Sequence, residues 1–154
     1  MSRYLAAAAA VGLLAAATPA LAVTVRDCDG RTEAAYNIVE PWETSSKTFY
    51  QGQVRVAYLD TGGEPACCSA HLLVLFFNQD EPGGGMTCRL VSAEGDNGFA
   101  GIDFKSLKSS YDPARGLLLS FNYRVFPPGG DGSTLNRGVA RVRVNVAGGA
   151  VTAE

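Results

Sequence analysis

Thiol and imidazole chemistry crowds into one short stretch: Cys67, Cys68 and His71, the last being the chain's one histidine. Thiolate and imidazole ligands suit copper(I) or zinc, provided that both cysteines are reduced. Oxidised, the two neighbours would form a vicinal disulfide, and strained disulfides are the more reducible ones, fit for a redox switch. The plainer alternative is a rigid loop staple beside an ordinary, partly buried histidine. No C-x-x-C motif supports the redox reading, and a histidine-rich metal site cannot be built from one histidine. A Ser-His-Asp triad would have to use His71, and no G-x-S-x-G, P-loop or dinucleotide fingerprint is present. A hydrolase working through carboxylates alone finds neither support nor objection in the sequence.

Two other groups carry chemistry of a simpler kind. Glu94, Asp96 and Asn97, or Asp27 and Asp29, offer oxygen ligands for calcium, but neither set follows the calcium-loop pattern of alternating acids, a glycine and a distant glutamate. Turn chemistry and surface solvation explain them as well. Arg55, Arg89, Arg124, Arg141 and Arg143 all fall on the polar parity of their strands. If those strands share a sheet, one face is an arginine plate able to hold a carboxylate, a phosphate or an acidic sugar. The alternative is a solvated face whose arginines discourage edge pairing. Trp42, between Pro41 and Glu43, is either an exposed anchor for a partner or a core residue.

These residues must be positioned by strands. Leu72 to Phe77 is apolar on both alternating faces, as in a short strand covered on both sides. Val54, Val56 and Tyr58 alternate with Gln53, Arg55 and Ala57. Leu117, Leu119, Phe121, Tyr123 and Val125 alternate with Ser120, Asn122 and Arg124. Val142, Val144 and Val146 alternate with Arg141, Arg143 and Asn145. In the segment at 86–93, Cys88 and Leu90 are expected inward, with Thr87 and Arg89 outward. Asp96-Asn97-Gly98 signals a hairpin joining this segment to a strand at 99–104. The spacing of Phe104, Leu107 and Lys108 suggests one helical turn within 103–110, and 127–138 reads as a polar Gly/Pro loop. Seven to nine strands separated by regular turns predict an all-β fold, an antiparallel β-sandwich with at most one short helical turn. A small closed β-barrel is the alternative.

The chain has 154 residues, four cysteines and 18 glycines. Arg3, the apolar run from Leu5 to Ala17 and Ala20-Leu21-Ala22 have the form of a secretory signal peptide over 1–22. That run is too short to span a hydrocarbon core of about 30 Å as a helix. Residues 23–154 are then one domain, periplasmic or secreted, with no transmembrane segment and a net charge of about −3 that points away from nucleic acid. Export favours disulfides. If 71–77 and 86–92 form a hairpin, Leu75 lies opposite Cys88 and Cys68 is roughly 23 Å further along at about 3.3 Å per residue. A disulfide needs Cα atoms within roughly 7 Å, so Cys88 should pair with Cys28. Cys67 and Cys68 are left to each other, as a vicinal disulfide or as two thiols.

Glu40-Pro41-Trp42, Val54-Arg55-Val56-Ala57, His71-Leu72-Leu73-Val74-Leu75, Gly98-Phe99-Ala100-Gly101 and Tyr111-Asp112-Pro113 together resemble a group of small secreted bacterial proteins of unassigned role. The resemblance implies a secreted domain and carries over no catalytic residue. The expected function is that of an exported binding or accessory module without cofactor and without enzymatic activity. Its partner would be another exported protein or an anionic component of the envelope. The alternative is a redox or soft-metal-handling protein centred on Cys67, Cys68 and His71.

Overall fold

The computed structural model describes residues 23–62, 68–78, 84–94, 97–127 and 132–154. The segment 1–22 read as a signal peptide lies outside them. Among the described residues nine strands run in chain order: β1 (Thr24–Asp27), β2 (Ser46–Phe49), β3 (Val54–Asp60), β4 (Ala70–Asn78), β5 (Gly85–Ser92), β6 (Gly101–Asp112), β7 (Gly116–Val125), β8 (Asn136–Asn145) and β9 (Ala150–Ala153). A single 3-10 turn (Ala35–Asn37) and one α-helical turn, α1 (Trp42–Ser45), lie between β1 and β2. The strands make two antiparallel sheets, ordered β1-β5-β4-β3-β2 and β6-β7-β8-β9. This is a β-sandwich, with edges at β1 and β2 and at β6 and β9 in place of the closed ring of a barrel.

Period-2 alternation places the core. Val54 and Val56 of β3, Leu72, Val74 and Phe76 of β4 and Val91 of β5 face Leu117, Leu119, Phe121 and Tyr123 of β7 and Ala140, Val142 and Val144 of β8, all buried between the sheets. The other face of the first sheet is covered too. Leu59, Leu73 and Leu90 are buried there, with Ile38, Leu75, Cys28 and Cys88 packed against them. β4 therefore has apolar residues on both parities, as a doubly covered strand must.

The register sets Leu75 opposite Cys88 in the β4–β5 hairpin. Asp27 lies opposite Arg89 at the end of β1, which brings the next residue, Cys28, to Cys88. Their disulfide spans 5.6 Å between Cα atoms.

Three local expectations are corrected. First, Thr87 and Arg89 lie opposite Phe76 and Val74 and so share the inter-sheet face, whereas Cys88 and Leu90 belong to the second cluster. With both faces covered, parity alone cannot say which one meets the other sheet. Second, β5 and β6 are not hairpin partners, because they belong to different sheets. The chain crosses over instead: Phe99 exchanges backbone hydrogen bonds with Ala70, and the Ala100 N–H donates to Arg124 O at 2.8 Å. Asp96 lies outside the described residues. A Cβ on Gly98 would sit 2.3 Å from Cys68 O, so this glycine serves a close backbone approach. Third, 103–110 is strand, not helix, with a bulge between Asp103 and Lys108. The Ser106 hydroxyl donates to Asp103 O at 2.6 Å and accepts from the Asn122 N–H at 2.8 Å, filling the broken ladder. The extra residues put Phe104 and Leu107 on the same buried side, a spacing that mimics a helix in sequence.

Candidate functional site

The five arginines do not form one plate, because the strands that carry them are divided between the sheets. Arg55 is exposed on the outer face of the first sheet, opposite Leu75 and Thr48. Arg89 donates to Cys88 O at 2.8 Å and pairs with Asp27 at 2.9 Å. Arg124, Arg141 and Arg143 share the outer face of the second sheet with Ser120 and Asn122. Arg143 is already engaged. Its Nε and Nη2 meet Glu154 Oε1 and Oε2 at 2.9 and 3.1 Å, and Nη1 donates to Gly116 O at 3.2 Å. Arg115 holds the same carboxylate. The hydrogen bond from Arg143 holds Glu154 below the usual carboxylate range, and the same bond raises Arg143.

The remaining arginines are differently placed. Arg124 of β7 lies directly opposite Arg137 of β8. β8 starts at Asn136, so Arg137 is on the strand and not in the loop expected over 127–138. The Arg124 guanidinium lies over Gly101, where a Cβ would come within 2.8 Å of Nη2. Among the described residues neither arginine makes an ion pair with a carboxylate, and both are exposed. Beside them is a cleft of about 490 Å³ bordered by Asp103, Asn122, Gly138 and Val139. Among the described residues that line it, two guanidinium groups stand against the one carboxylate of Asp103. Beneath it, on the inner face, the Tyr123 ring occupies the space that the missing side chain of Gly138 leaves. Like charges directly opposite across a sheet are destabilising, and this pair stands directly opposite in the β7–β8 register. Arg137 was legible in principle: Arg137, Val139, Arg141 and Arg143 continue one parity, but the preceding Gly/Pro run hides where the strand begins.

The cysteine–histidine stretch is otherwise. Cys68 is disulfide-bonded and has a φ of 75°; Cys67 lies outside the described residues. In this oxidised form Cys68 offers no thiolate to a soft metal, and no cluster of three metal-ligating side chains occurs among the described residues. His71 is buried, with Nδ1 2.8 Å from the hydroxyl of Ser92, itself fully buried. Asp29 is no third member of a triad. Its carboxylate accepts from the N–H groups of Arg31 and Thr32, from the Thr32 hydroxyl and from Arg26. Those backbone donors, Thr32 first, hold it far below the carboxylate range. Of the calcium candidates, Asp27 pairs with Arg89, Glu94 and Asn97 are exposed, and Asp96 lies outside the described residues. Trp42 opens α1 and is 52% exposed, so it is not a core residue.

Burial, and secondarily the charge of Arg26, lower the pKa of His71 below 6.5 against the opposing pull of Asp29 and Asp60. Below pH 6.5 the unfolded chain takes up a proton that the folded chain refuses, so unfolding binds protons and stability falls with pH. Urea melts should therefore show stability that is full above pH 6.5 and declines from there towards the folded-state pKa. A His71→Gln variant should lose that slope. An unchanged slope between pH 6.5 and 5 in the variant would remove His71 as its source. Loss of the Asp29 contribution belongs to a separate window, below pH 3.8.

No protein-family model matches the chain, and no similar protein is found among curated proteins or solved structures.

Proposed function

We propose that the chain is an exported binding domain that holds an anionic group, a carboxylate or phosphate, in the cleft beside Arg124 and Arg137. The observation that carries this reading is the cross-strand register of two arginines that form no ion pair with a carboxylate among the described residues. Guanidinium groups bind carboxylate and phosphate through paired hydrogen bonds, and an anion between the two would turn a repulsive pair into a clamp. The Cys28–Cys88 disulfide suits an oxidising compartment. No helix among the described residues is long and apolar enough to cross a membrane. Envelope anions and acidic faces of other exported proteins are the partners that such a cleft fits. Trp42 and Arg55, exposed elsewhere on the surface, and Arg141, further along the same face, would extend a protein contact but are not needed for the anion.

Titration with inorganic phosphate and with an oligosaccharide of uronic acids tests this at low ionic strength, where exposed charges are least screened. The parent should show saturable binding, weakened by salt. Charge-assisted hydrogen bonds contribute roughly 1.5–3 kcal/mol, so Arg124→Ala with Arg137→Ala should weaken binding by about a hundredfold or more. Equal binding by the parent and the double variant would refute the reading.

A further inference from the structure

The opposite end of the sandwich carries a second, chemically different cleft. Tyr50, in the turn between β2 and β3, stacks on Tyr111 of β6 with ring centroids 5.2 Å apart and planes 24° from parallel. Both rings reach solvent, at 39% and 53% exposure. They wall a cleft of about 210 Å³ together with Pro113, Asn145 and Val146, over Leu117 and Val144. None of the described residues lining it is charged. The site is distinct from the arginine cleft. Leu117 and Arg124 are seven positions apart on β7, roughly 23 Å at about 3.3 Å per residue.

The backbone that presents Tyr50 is strained. Tyr50 and Gln51 have φ of 52° and 56°, in the left-handed region that hairpin turns reserve for Asn, Asp or Gly. A bulky residue there is an outlier, and such outliers gather at ligand sites. Asn-Gly would make a more relaxed turn, so an exposed tyrosine at this position calls for a reason outside folding.

We propose that this cleft binds one uncharged pyranose ring of a glycan, stacked against the tyrosine pair. A pyranose with equatorial hydroxyls has an apolar C–H face and a polar rim. Tyr50 and Tyr111 offer apolar ring surface with hydroxyl groups at its edge. Asn145 Oδ1 accepts the Gly148 N–H at 3.1 Å, which leaves Nδ2 to donate to a ring hydroxyl. The uncharged lining gives an ionic ligand no counter-charge. Its volume lies below the roughly 300 Å³ at which pockets for drug-sized ligands begin, room for one ring.

The test titrates the full chain with tetrasaccharides of β-linked glucose and of β-linked N-acetylglucosamine, followed by amide chemical shifts. At least one sugar should give saturable shifts centred on Tyr50, Tyr111 and Asn145, and the better of the two shows whether the acetamido group contributes. Tyr50→Asn relaxes the turn, so it should melt no lower than the parent yet bind about tenfold more weakly. Tyr111→Phe keeps the stack and should bind within about threefold of the parent. Asn145→Ala is the second binding variant, about fivefold weaker for the loss of one hydrogen bond. The proposal is overturned if neither sugar gives saturable shifts up to about 10 mM, if the shifts centre elsewhere, or if Tyr50→Asn binds as well as the parent. A proline-rich peptide bound in preference to both sugars would overturn it as well.

Discussion

Val144→Asp is expected to abolish the folded state. Val144 is fully buried between the sheets and lies opposite Leu117 on one side and Val151 on the other. A carboxylate there meets no donor from these neighbours. Even after relaxation, an unpaired ion in an apolar interior costs several kcal/mol, against a total stability of roughly 5–15 kcal/mol for a domain. The residues on either side, Arg143 and Asn145, face away from the core, so the effect is specific to parity. Circular dichroism with urea melts of Val144→Asp and Arg141→Ala makes the comparison. The first should show no cooperative transition and the second should melt like the parent. A cooperative melt of Val144→Asp within about 1 kcal/mol of the parent would mean that this face of β8 is not in the core.

The second large effect belongs to the Cys28–Cys88 disulfide, which closes a loop with a sequence separation of 60. In the chain-entropy treatment, a loop of that length contributes about 4 kcal/mol. The bridge also fastens β1, an edge strand of four residues, to β5, and both cysteines pack against the cluster of Leu59, Leu73 and Leu90. Cys28→Ser with Cys88→Ser should therefore lower the urea midpoint by a large fraction of the whole. Peptide mapping without reductant should link the two segments in the parent. A link from Cys88 to Cys67 or Cys68, or a double serine variant as stable as the parent, would contradict the β1–β5–β4 order.

For β4, β7 and β8 the fold could be read to the level of faces but not of sheets, and on β5 the two faces were exchanged. Doubly apolar β4, the alternation along β7 and β8 and the register of Leu75 with Cys88 follow from local pattern, because side-chain period and turn length determine them. Which sheet a strand joins depends on long-range pairing, to which parity is blind. Hence the five arginines, alike in parity, scatter over two outer faces and one inner one. Asn97-Gly98 has the composition of a hairpin, yet Gly98 is there because Cys68 O comes too close for a side chain. A bulge gave Phe104 and Leu107 a helical spacing. The anion cleft was half legible: Arg124 was a candidate, whereas Arg137 stood behind glycines and prolines that read as loop. The tyrosine cleft was not legible at all, since the β2–β3 turn and the end of β6 meet only in the folded chain.

On the proposed reading, Arg124 and Arg137 stand opposite each other in the β7–β8 register to take up an anion, at a cost to the fold. Thermal melting of the parent and of Arg137→Gln, each with and without inorganic phosphate at low ionic strength, tests it most directly. Without phosphate, the variant should melt at or above the parent, because a like-charge pair is relieved. With phosphate at a hundredfold excess over the parent's Kd, the parent should gain about 2.7 kcal/mol and the variant, at least about tenfold weaker for one lost charge-assisted contact, about 1.4 kcal/mol or less. Equal stabilisation of both proteins by phosphate, or a variant that melts well below a parent indifferent to phosphate, would contradict the account.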